Sequence, residues 1–496
     1  MPSGASYQAD PRILELGSAF YDEVKAADFP ERTLRYRNDR AAKDVGLESL
    51  SAEEWEAHFG RFCALPDNLA KPLALRYHGH QFGVYNSALG DGRGFLFAQV
   101  RDGHGRLLDL GTKGSGTTPW SRGGDGRLTL KGGIREILAT EMLEALGVKT
   151  SRTLSLFETG EKLHRGDEPS PTRSSVLVRL GHSHVRFGTF QRLAHVNGPH
   201  GANEKNGKNG RRGDPEAIEK LVDYSIRTYF PDLASKTGDE RVVAFLDRVA
   251  SASAKLAAEW MTAGFVHGVL NTDNMTITGD SFDYGPFRFA PTFAPDFVAA
   301  YFDHSGLYAF GKQPTTVSWN LSRLADALRT LVPSAPLGAP IAAFDDRYEE
   351  ALTGRTLVRL GVEPRDPDSD RALATATWSF LESSKIGFEQ LFFDLYGGIA
   401  RAGRALSGPA ADFYDGTRWT SLRDLLMLYE PHPRSAKAIG DPYFQCDSPT
   451  TLLIDEVEAI WTMIATKDDW APLHAKVAEI RAMGAVLEPT FGRRLL

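Results

Sequence analysis

The chain contains little cysteine. Among its 496 residues only Cys63 and Cys446 are cysteines, and they lie far apart in the sequence. Two distant thiols cannot form a disulfide framework, and they do not have the spacing of zinc ligands. We therefore expect neither a disulfide-stabilised fold nor a zinc centre.

The sequence also has no long apolar run and no leader pattern. No stretch approaches the roughly 20 apolar residues that span a bilayer. Residues 1–18 lack a basic segment followed by an apolar one, and Asp10 and Glu15 outnumber the single Arg12, unlike a transit peptide. These absences predict a cytoplasmic protein without a membrane partner.

An excess of positive charge is missing as well. The formal net charge is −7, from 57 basic and 64 acidic residues, so nothing offsets repulsion by a nucleic acid backbone. Nucleic acid is therefore not an expected partner, and any anion site must be built locally. With 42% hydrophobic and 24% charged residues, the composition is that of an ordinary globular protein with room for two or more domains.

Residues 83–136 contain the first group of residues suited to phosphate chemistry. A glycine-rich turn at 90–94 precedes a predicted hairpin that ends at Lys113, and a predicted helix then carries Glu136. Glycines let backbone N–H groups approach an anion, and a strand lysine supplies a point charge. Glu136 can pair with Lys113 as the corresponding residues of protein kinases do. A Walker loop is excluded because residues 111–118 lack the Gly-Lys-Ser/Thr ending. Alone, this stretch leaves ATP binding and a simple turn equally open.

A second group of polar residues follows in the predicted helical part. Asp273 and Asn274 occupy a loop after a helix, and Asp283 begins an Asp-x-Gly turn. Oxygen ligands at this spacing suit a divalent cation that bridges nucleotide phosphates, with one carboxylate left to orient a hydroxyl. Arg179 and Arg186 could neutralise a phosphate, although their spacing alone favours surface ion pairs. The order of all these residues along the chain indicates a kinase-like catalytic core.

The fold class that these patterns predict is α+β, with a strand-rich lobe followed by a helical lobe and a ligand crevice between them. We expect five segments: a helical lead-in at 1–75, a nucleotide-binding lobe at 76–194, a mobile loop at 195–215, a catalytic helical lobe at 216–330, and a helical extension at 331–496.

Several segments together resemble the selenoprotein O, or YdiU, family of kinase-like protein nucleotidyltransferases. The resemblance extends from about Tyr77 to Leu321, and little of the family pattern is evident beyond residue 330, which predicts a divergent C-terminal region. The matching segments are Tyr77-His-Gly-His-Gln-Phe82, Gly90-Asp-Gly-Arg-Gly94, residues 110–122, Asp125-Gly126, Arg179, Ser183-His-Val-Arg-Phe-Gly188, residues 267–274, Asp283-Tyr-Gly-Pro-Phe287 and Trp319-Asn-Leu321.

The resemblance implies a two-lobed, protein-kinase-like (pseudokinase) fold and AMPylation, the transfer of AMP from ATP to Ser, Thr or Tyr hydroxyls of proteins with release of pyrophosphate. ATP would bind inverted relative to kinases, with Mg²⁺ or Mn²⁺ as cofactor. A conventional phosphotransferase and UMP transfer from UTP stay open as alternatives. The implied roles are catalysis by Asp273, pairing of Glu136 with Lys113, metal binding by Asn274 and Asp283, and ATP binding by Gly90, Gly92, Arg93, Lys113, Asp125, Gly126, Arg179 and Arg186.

Overall fold

The computed structural model describes residues 7–166, 168–196 and 213–491. Most of the loop predicted at 195–215 therefore lies outside the described residues. The strands of the described part are β1 (Tyr21–Glu23), β2 (Thr33–Arg37), β3 (Leu73–Leu75), β4 (Gly79–Gln81), β5 (Val84–Asn86), β6 (Leu96–Arg101), β7 (Leu107–Lys113), β8 (Leu128–Thr129), β9 (Arg152–Leu163), β10 (Thr172–Gly181), β11 (Phe265–Val266) and β12 (Arg288–Phe289).

One antiparallel sheet holds most of these strands. Its order is β1-β3-β6-β7-β10-β9-β2, and β8 pairs with β10 beyond the end of β7. The strands β6 and β7 form the predicted hairpin, and the register of β7 on β10 places Lys113 opposite Leu177. Because β7 lies near the middle of the sheet, all of its residues are buried, Lys113 included.

The remaining elements are mainly helical. They are α1 (Asp39–Asp44), α2 (Ala52–Phe59), α3 (Leu130–Ala145), α4 (Phe187–His195), α5 (Pro215–Tyr229), α6 (Gly238–Thr262), α7 (Gln313–Leu328), α8 (Gly338–Ala342), α9 (Phe344–Leu360), α10 (Pro367–Ser384), α11 (Phe388–Leu395), α12 (Ala402–Ser407), α13 (Gly416–Leu426), α14 (Pro433–Ala438), α15 (Ile454–Lys467) and α16 (Ala471–Phe491). The chain thus has a strand-rich part followed by a helical part.

The first 75 residues differ from the mostly helical segment that we expected. They contain α1 and α2, but also β1, β2 and β3, which join the large sheet at both of its edges. A capping box starts α2, since the Ser51 hydroxyl accepts from the amide of Glu54 and the Glu54 carboxylate accepts from the amide of Ser51. The strands here are short, and three to five residues carry too little hydrophobic periodicity to be recognised from sequence.

Helix α3 is the central helix of the strand-rich part. The hydroxyl of Thr129 caps its N-terminus by accepting from the amide of Gly132. The helix ends before Gly147, whose φ is +89°. One face packs on β9 and β10, and α16 packs on another face. As a result α3 is buried on nearly every side and carries Glu136 in its interior.

Within the described ranges, no helix combines the length and apolarity needed to cross a bilayer.

The packing of α3 makes a quantitative prediction. Leu138 is fully buried, so Leu138→Ala should lower the free energy of unfolding by about 2–5 kcal/mol, through lost transfer energy and a residual cavity. Leu34→Ala is the matched control, because Leu34 is 39% exposed and its truncation should cost under about 1 kcal/mol. Urea unfolding followed by circular dichroism measures both. Equal losses for the two variants would contradict this account of the core.

Candidate active site

A cavity of about 650 Å³ lies where the sheet meets the segment 269–283. It collects side chains from β7, β10, the glycine-rich turns and the loop after α6, although these segments are far apart in sequence. Eleven of the twelve residues predicted for the site line it: Gly90, Gly92, Arg93, Lys113, Asp125, Gly126, Arg179, Arg186, Asp273, Asn274 and Asp283. The twelfth, Glu136, lies behind Lys113.

Lys113 is the cation at the floor of this cavity. It is 5% exposed, and its Nζ donates to Oε1 of Glu136, which is itself buried on α3. The same ammonium lies 2.6 Å from Oδ1 of Asp283. Two carboxylate partners restrain this buried ammonium, so its positive charge stays at the cavity wall.

Asp283 contacts two cationic side chains. Its Oδ1 lies near Nζ of Lys113 and 3.5 Å from Nη1 of Arg179. Burial alone would raise the pKa of Asp283, but Lys113 and then Arg179 hold it well below its ordinary value. The residue has φ = +68°, a backbone conformation that costs energy outside glycine and is concentrated at functional sites. Lys113 and Arg179 therefore favour the ionised form of Asp283.

Arg179 and Arg186 stand side by side over one aromatic ring. Their guanidinium carbons lie 5.0 and 4.8 Å from the centre of the Phe282 ring. Arg186 donates to Oδ1 of Asp91 at 3.2 Å and to the carbonyl oxygen of Asp273 at 3.0 Å. Both arginines are buried, and among the described residues Nε of each has no hydrogen-bond partner. They therefore have donors left for a further anion. The surface ion pairs that their spacing alone favours are not what the structure shows, because both arginines are buried.

Asp273 lies in a short 3₁₀ turn, residues 272–274, at the edge of the cavity. Its Oδ1 is buried and has no hydrogen-bond partner within the described part of the chain. Burial raises the pKa of Asp273 to about 6, even though Arg186 acts in the opposite direction. A carboxylate with a free oxygen and a pKa near neutrality is suited to accept a proton.

Asn274 and Asp283 present oxygen atoms suited to a divalent cation. The amide nitrogen of Asn274 donates to the carbonyl oxygen of Val269 at 2.9 Å, which leaves its carboxamide oxygen as the atom available for a metal. Asp283 keeps Oδ2 when Oδ1 faces Lys113. Two protein ligands are what Mg²⁺ commonly has when substrate phosphates and waters complete its octahedron. Asn274 and Asp283 therefore fit a divalent cation as ligands.

Gly90 and Gly92 are required by an aromatic neighbour. A Cβ on Gly90 would overlap the ring of Trp120, and one on Gly92 would lie 2.8 Å from the Trp120 carbonyl oxygen. The indole Nε1 of Trp120 donates to Asp22 at 2.9 Å and so fixes the ring. The turn thus packs closely on Trp120, which is a reason for glycine beyond the approach of an anion that the sequence suggested.

Asp125 and Gly126 lie at the outer rim of the cavity. Asp125 accepts from Nη1 of Arg165 at 2.8 Å and from the amide of Arg127 at 3.0 Å. Gly126 has φ = +67°, and a Cβ there would overlap the backbone of Gly116. This rim therefore brings the turn at Gly116 and the loop between β9 and β10 together.

The cavity carries an excess of positive charge although the whole chain is acidic. Seven cationic side chains line it, Arg93, Lys113, Arg122, Arg127, Arg165, Arg179 and Arg186, against four acidic ones, Asp91, Asp125, Asp273 and Asp283. Such a local concentration of cations attracts a polyanion. The site is therefore built for a ligand with several negative charges.

Sequence reasoning missed three residues that organise this site. Asp91 accepts from both Arg186 and the amide of Leu75, Phe282 underlies the two arginines, and Trp120 packs on the glycine turn. Asp91 and Phe282 each stand next to a predicted site residue, so their positions were a usable signal. The contact of Trp120 with residues 90–92 joins segments thirty residues apart and had no local signal.

Comparison with known proteins gives this cavity its context. Residues 5–481 match the family described as protein adenylyltransferase SelO. The chain belongs to that family. It is therefore an enzyme of the nucleotidyltransferase class, as the resemblance of its motifs implied.

Individual relatives cover nearly the same length. The protein nucleotidyltransferase YdiU of Gloeobacter violaceus is 44% identical over 486 residues, which are 96% of this chain and 95% of the relative. The YdiU of Synechocystis sp. is 44% identical over 490 residues, or 95% and 98% of the two chains. The expectation of a divergent region beyond residue 330 was wrong, because the family match continues to residue 481. The helices beyond residue 330 carry few chemical motifs, so the sequence there gave little indication of the family.

The pKa of Asp273 predicts how stability depends on pH. Because folding raises this pKa from 3.8 to about 6, the contribution of Asp273 to stability is lost as the pH rises from about 4 through 6. Asp273→Asn cannot ionise, so it should be more stable than the wild type by about 3 kcal/mol at pH 7.5, two units at 1.36 kcal/mol each. The gain should shrink at pH 5. Urea midpoints at both pH values measure it, and a gain independent of pH would contradict the assignment.

Proposed function

We propose that this enzyme transfers AMP from ATP to hydroxyl groups of Ser, Thr or Tyr side chains of proteins and releases pyrophosphate. The observation that carries the proposal is one cavity lined by the cations Lys113, Arg179 and Arg186 and by Asp273, whose Oδ1 has no hydrogen-bond partner among the described residues. Membership of a protein adenylyltransferase family supports both the nucleotide and the protein acceptor.

The proposed architecture is that of a protein kinase. The strand-rich part, with the Lys113 to Glu136 ion pair, corresponds to a nucleotide-binding lobe at 76–194, and the segment with Asp273 and Asp283 to a catalytic lobe at 216–330. Strands from the described part of the lead-in, residues 7–75, extend the sheet of the first lobe, and residues 331–491 form a helical extension.

In this proposal the cations hold the triphosphate so that its α-phosphate faces the acceptor. Lys113 and the unpartnered guanidinium nitrogens of Arg179 and Arg186 bind the β- and γ-phosphates, and Arg93 adds charge at the glycine turn. Gly90, Gly92, Asp125 and Gly126 shape the walls around the nucleotide. A kinase lysine without the two extra arginines would have less charge with which to hold a γ-phosphate at that depth.

Asp273 is the proposed proton acceptor. The acceptor hydroxyl oxygen forms a bond to the α-phosphorus, the bond from that phosphorus to the α,β-bridging oxygen breaks, and pyrophosphate leaves. The hydroxyl proton passes to Oδ1 of Asp273, which has no other hydrogen-bond partner among the described residues. With a pKa of about 6, this carboxyl is mostly ionised at neutral pH and ready for the proton.

Asn274 and Asp283 are the proposed ligands for Mg²⁺ or Mn²⁺. A bound divalent cation would neutralise charge that develops on the phosphate oxygens. The low pKa of Asp283 keeps its carboxylate ionised for this role, and the hydrogen bond from Asn274 to Val269 holds the carboxamide in one orientation.

The test is label transfer from ATP. Incubation with a generic protein acceptor and Mg²⁺ or Mn²⁺ should move label from the α-phosphate, and none from the γ-phosphate, onto protein. The Asp283→Ala variant should transfer none, because the proposed metal ligand is gone. Transfer from the γ-phosphate would instead make the enzyme a phosphotransferase, and equal transfer from UTP would make it a uridylyltransferase.

Lys113 supplies a second prediction. Lys113→Ala should lower kcat/KM for AMP transfer by about 10²-fold or more, because the ammonium contacts charge that grows on the leaving pyrophosphate. Lys71→Ala is the matched control, since Lys71 pairs with Glu23 at the surface and is 59% exposed. Steady-state kinetics with labelled ATP measure both variants. An unchanged rate for Lys113→Ala would reduce the lysine to a structural role.

A further inference from the structure

The C-terminal helices contact the helix that carries Glu136. Leu473, Val477 and Ile480 of α16 are buried in the same core as Ile134 and Leu138 of α3. A Cβ on Gly484 would lie only 3.0 Å from Cβ of Ala145, so the two helices approach closely near the end of α3. Helix α16 therefore packs along α3 from a point more than 300 residues further along the chain.

Ion pairs accompany this apolar contact. Arg481 of α16 binds Glu141 of α3 with two donors, Nε to Oε2 at 2.8 Å and Nη2 to Oε1 at 2.7 Å. The carboxylate of Glu141 is only 2% exposed. Near the other end of α3, Nζ of Lys131 lies 2.7 Å from Oε2 of Glu458 on α15. The extension thus binds α3 on both sides of Glu136.

The Arg481 contact also reaches the sheet. Its Nη2 donates to the Tyr36 hydroxyl at 2.9 Å and to Oδ1 of Asn38 at 3.3 Å, and Tyr36 donates to Glu141 at 2.5 Å. Burial acts to raise the pKa of Glu141, but Arg481 keeps it below its ordinary value. A bidentate pair whose remaining donors and acceptors are also used fixes both distance and orientation. Arg481 therefore adds a link between α3 and β2 to the direct hydrogen bond of Tyr36 with Glu141.

Helix α3 also contacts the segment that follows Asp283. Nη2 of Arg135 donates to the carbonyl oxygens of Gly285 at 3.2 Å and Phe287 at 2.9 Å, just after Asp283. The adjacent Glu136 pairs with Lys113, which lies 2.6 Å from Asp283. Helix α3 thus contacts both the C-terminal helices and the segment after Asp283, and a shift of α3 would displace Glu136 from Lys113 and Asp283.

We infer that Arg481 is a positioning residue: through Glu141 it holds α3 where Glu136 can orient Lys113 in the cavity. The inference rests on the proposed function, because its main readout is AMP transfer. In this inference the C-terminal extension contributes to catalysis. It supports the pair of Lys113 and Glu136 from outside the two lobes. Protein kinases likewise depend on the placement of the helix that carries this glutamate.

The test is a double-mutant cycle between Arg481→Lys and Glu136→Gln. Lysine keeps the charge that Glu141 needs, but it cannot make the bidentate contact. In the wild-type background Arg481→Lys should lower kcat for AMP transfer by about tenfold, and in the Glu136→Gln background by less than about twofold, because no carboxylate is left to position. The dissociation constant of ATP, measured on the same four proteins, should show the same non-additivity.

A purely structural role would give another pattern. Arg481→Lys would then lower activity by the same factor in both backgrounds, and that result would overturn the inference. Lys476→Met is the matched control on α16, because Lys476 pairs with Glu456 and Glu479 and does not reach α3. It should lower the melting temperature while leaving kcat within about twofold; a tenfold loss of kcat from this control would also overturn the inference.

Different results would contradict the proposed function and the role of Arg481. A wild-type protein that neither binds ATP nor transfers AMP would contradict the proposed function, and the inference with it. An active wild-type enzyme with additive effects in both kcat and ATP affinity would overturn the inference alone.

Discussion

The interaction on which the rest of the site depends is the buried contact of Lys113 with Glu136 and Asp283. Three charges from a strand, a helix and a loop meet at one point; Lys113 and Glu136 are buried, and the Asp283 side chain is 26% exposed. Removing one partner from such a cluster leaves an uncompensated charge in the interior, which costs about 3–5 kcal/mol. The cluster therefore requires that β7, α3 and the segment at 283 keep fixed relative positions.

The surrounding structure supplies that fixed placement. The sheet fixes β7 from both sides, and the antiparallel register on β10 brings Arg179 opposite Gly111, two residues before Lys113. Helix α3 is held by the sheet, by the contact of Arg135 with Phe287, and by α15 and α16. The result is a cavity in which cations exceed anions inside an acidic protein, and in which Oδ1 of Asp273 has no hydrogen-bond partner within the part of the chain that the structure describes.

Sequence alone predicted the residues of the site better than its geometry. Lys113, Glu136, Asp273 and Asp283 carry chemical signals in their own neighbourhoods, and the hairpin and α3 follow from turn residues and helical spacing. The short strands β1 and β3 could not be predicted, because their partners lie elsewhere in the chain. The contact of Arg481 with Glu141 spans 340 positions, and no local pattern marks it. Long-range packing decides these features, whereas local propensity decides the others.

The most direct measurement is a crystal structure of the protein with a non-hydrolysable ATP analogue and Mn²⁺. The account predicts that the γ-phosphate contacts Lys113, Arg179 and Arg186, that the α-phosphate faces Oδ1 of Asp273, and that the anomalous signal of manganese lies between Asn274 and Asp283. A γ-phosphate beside Asp273, with the α-phosphate at Lys113, would contradict it.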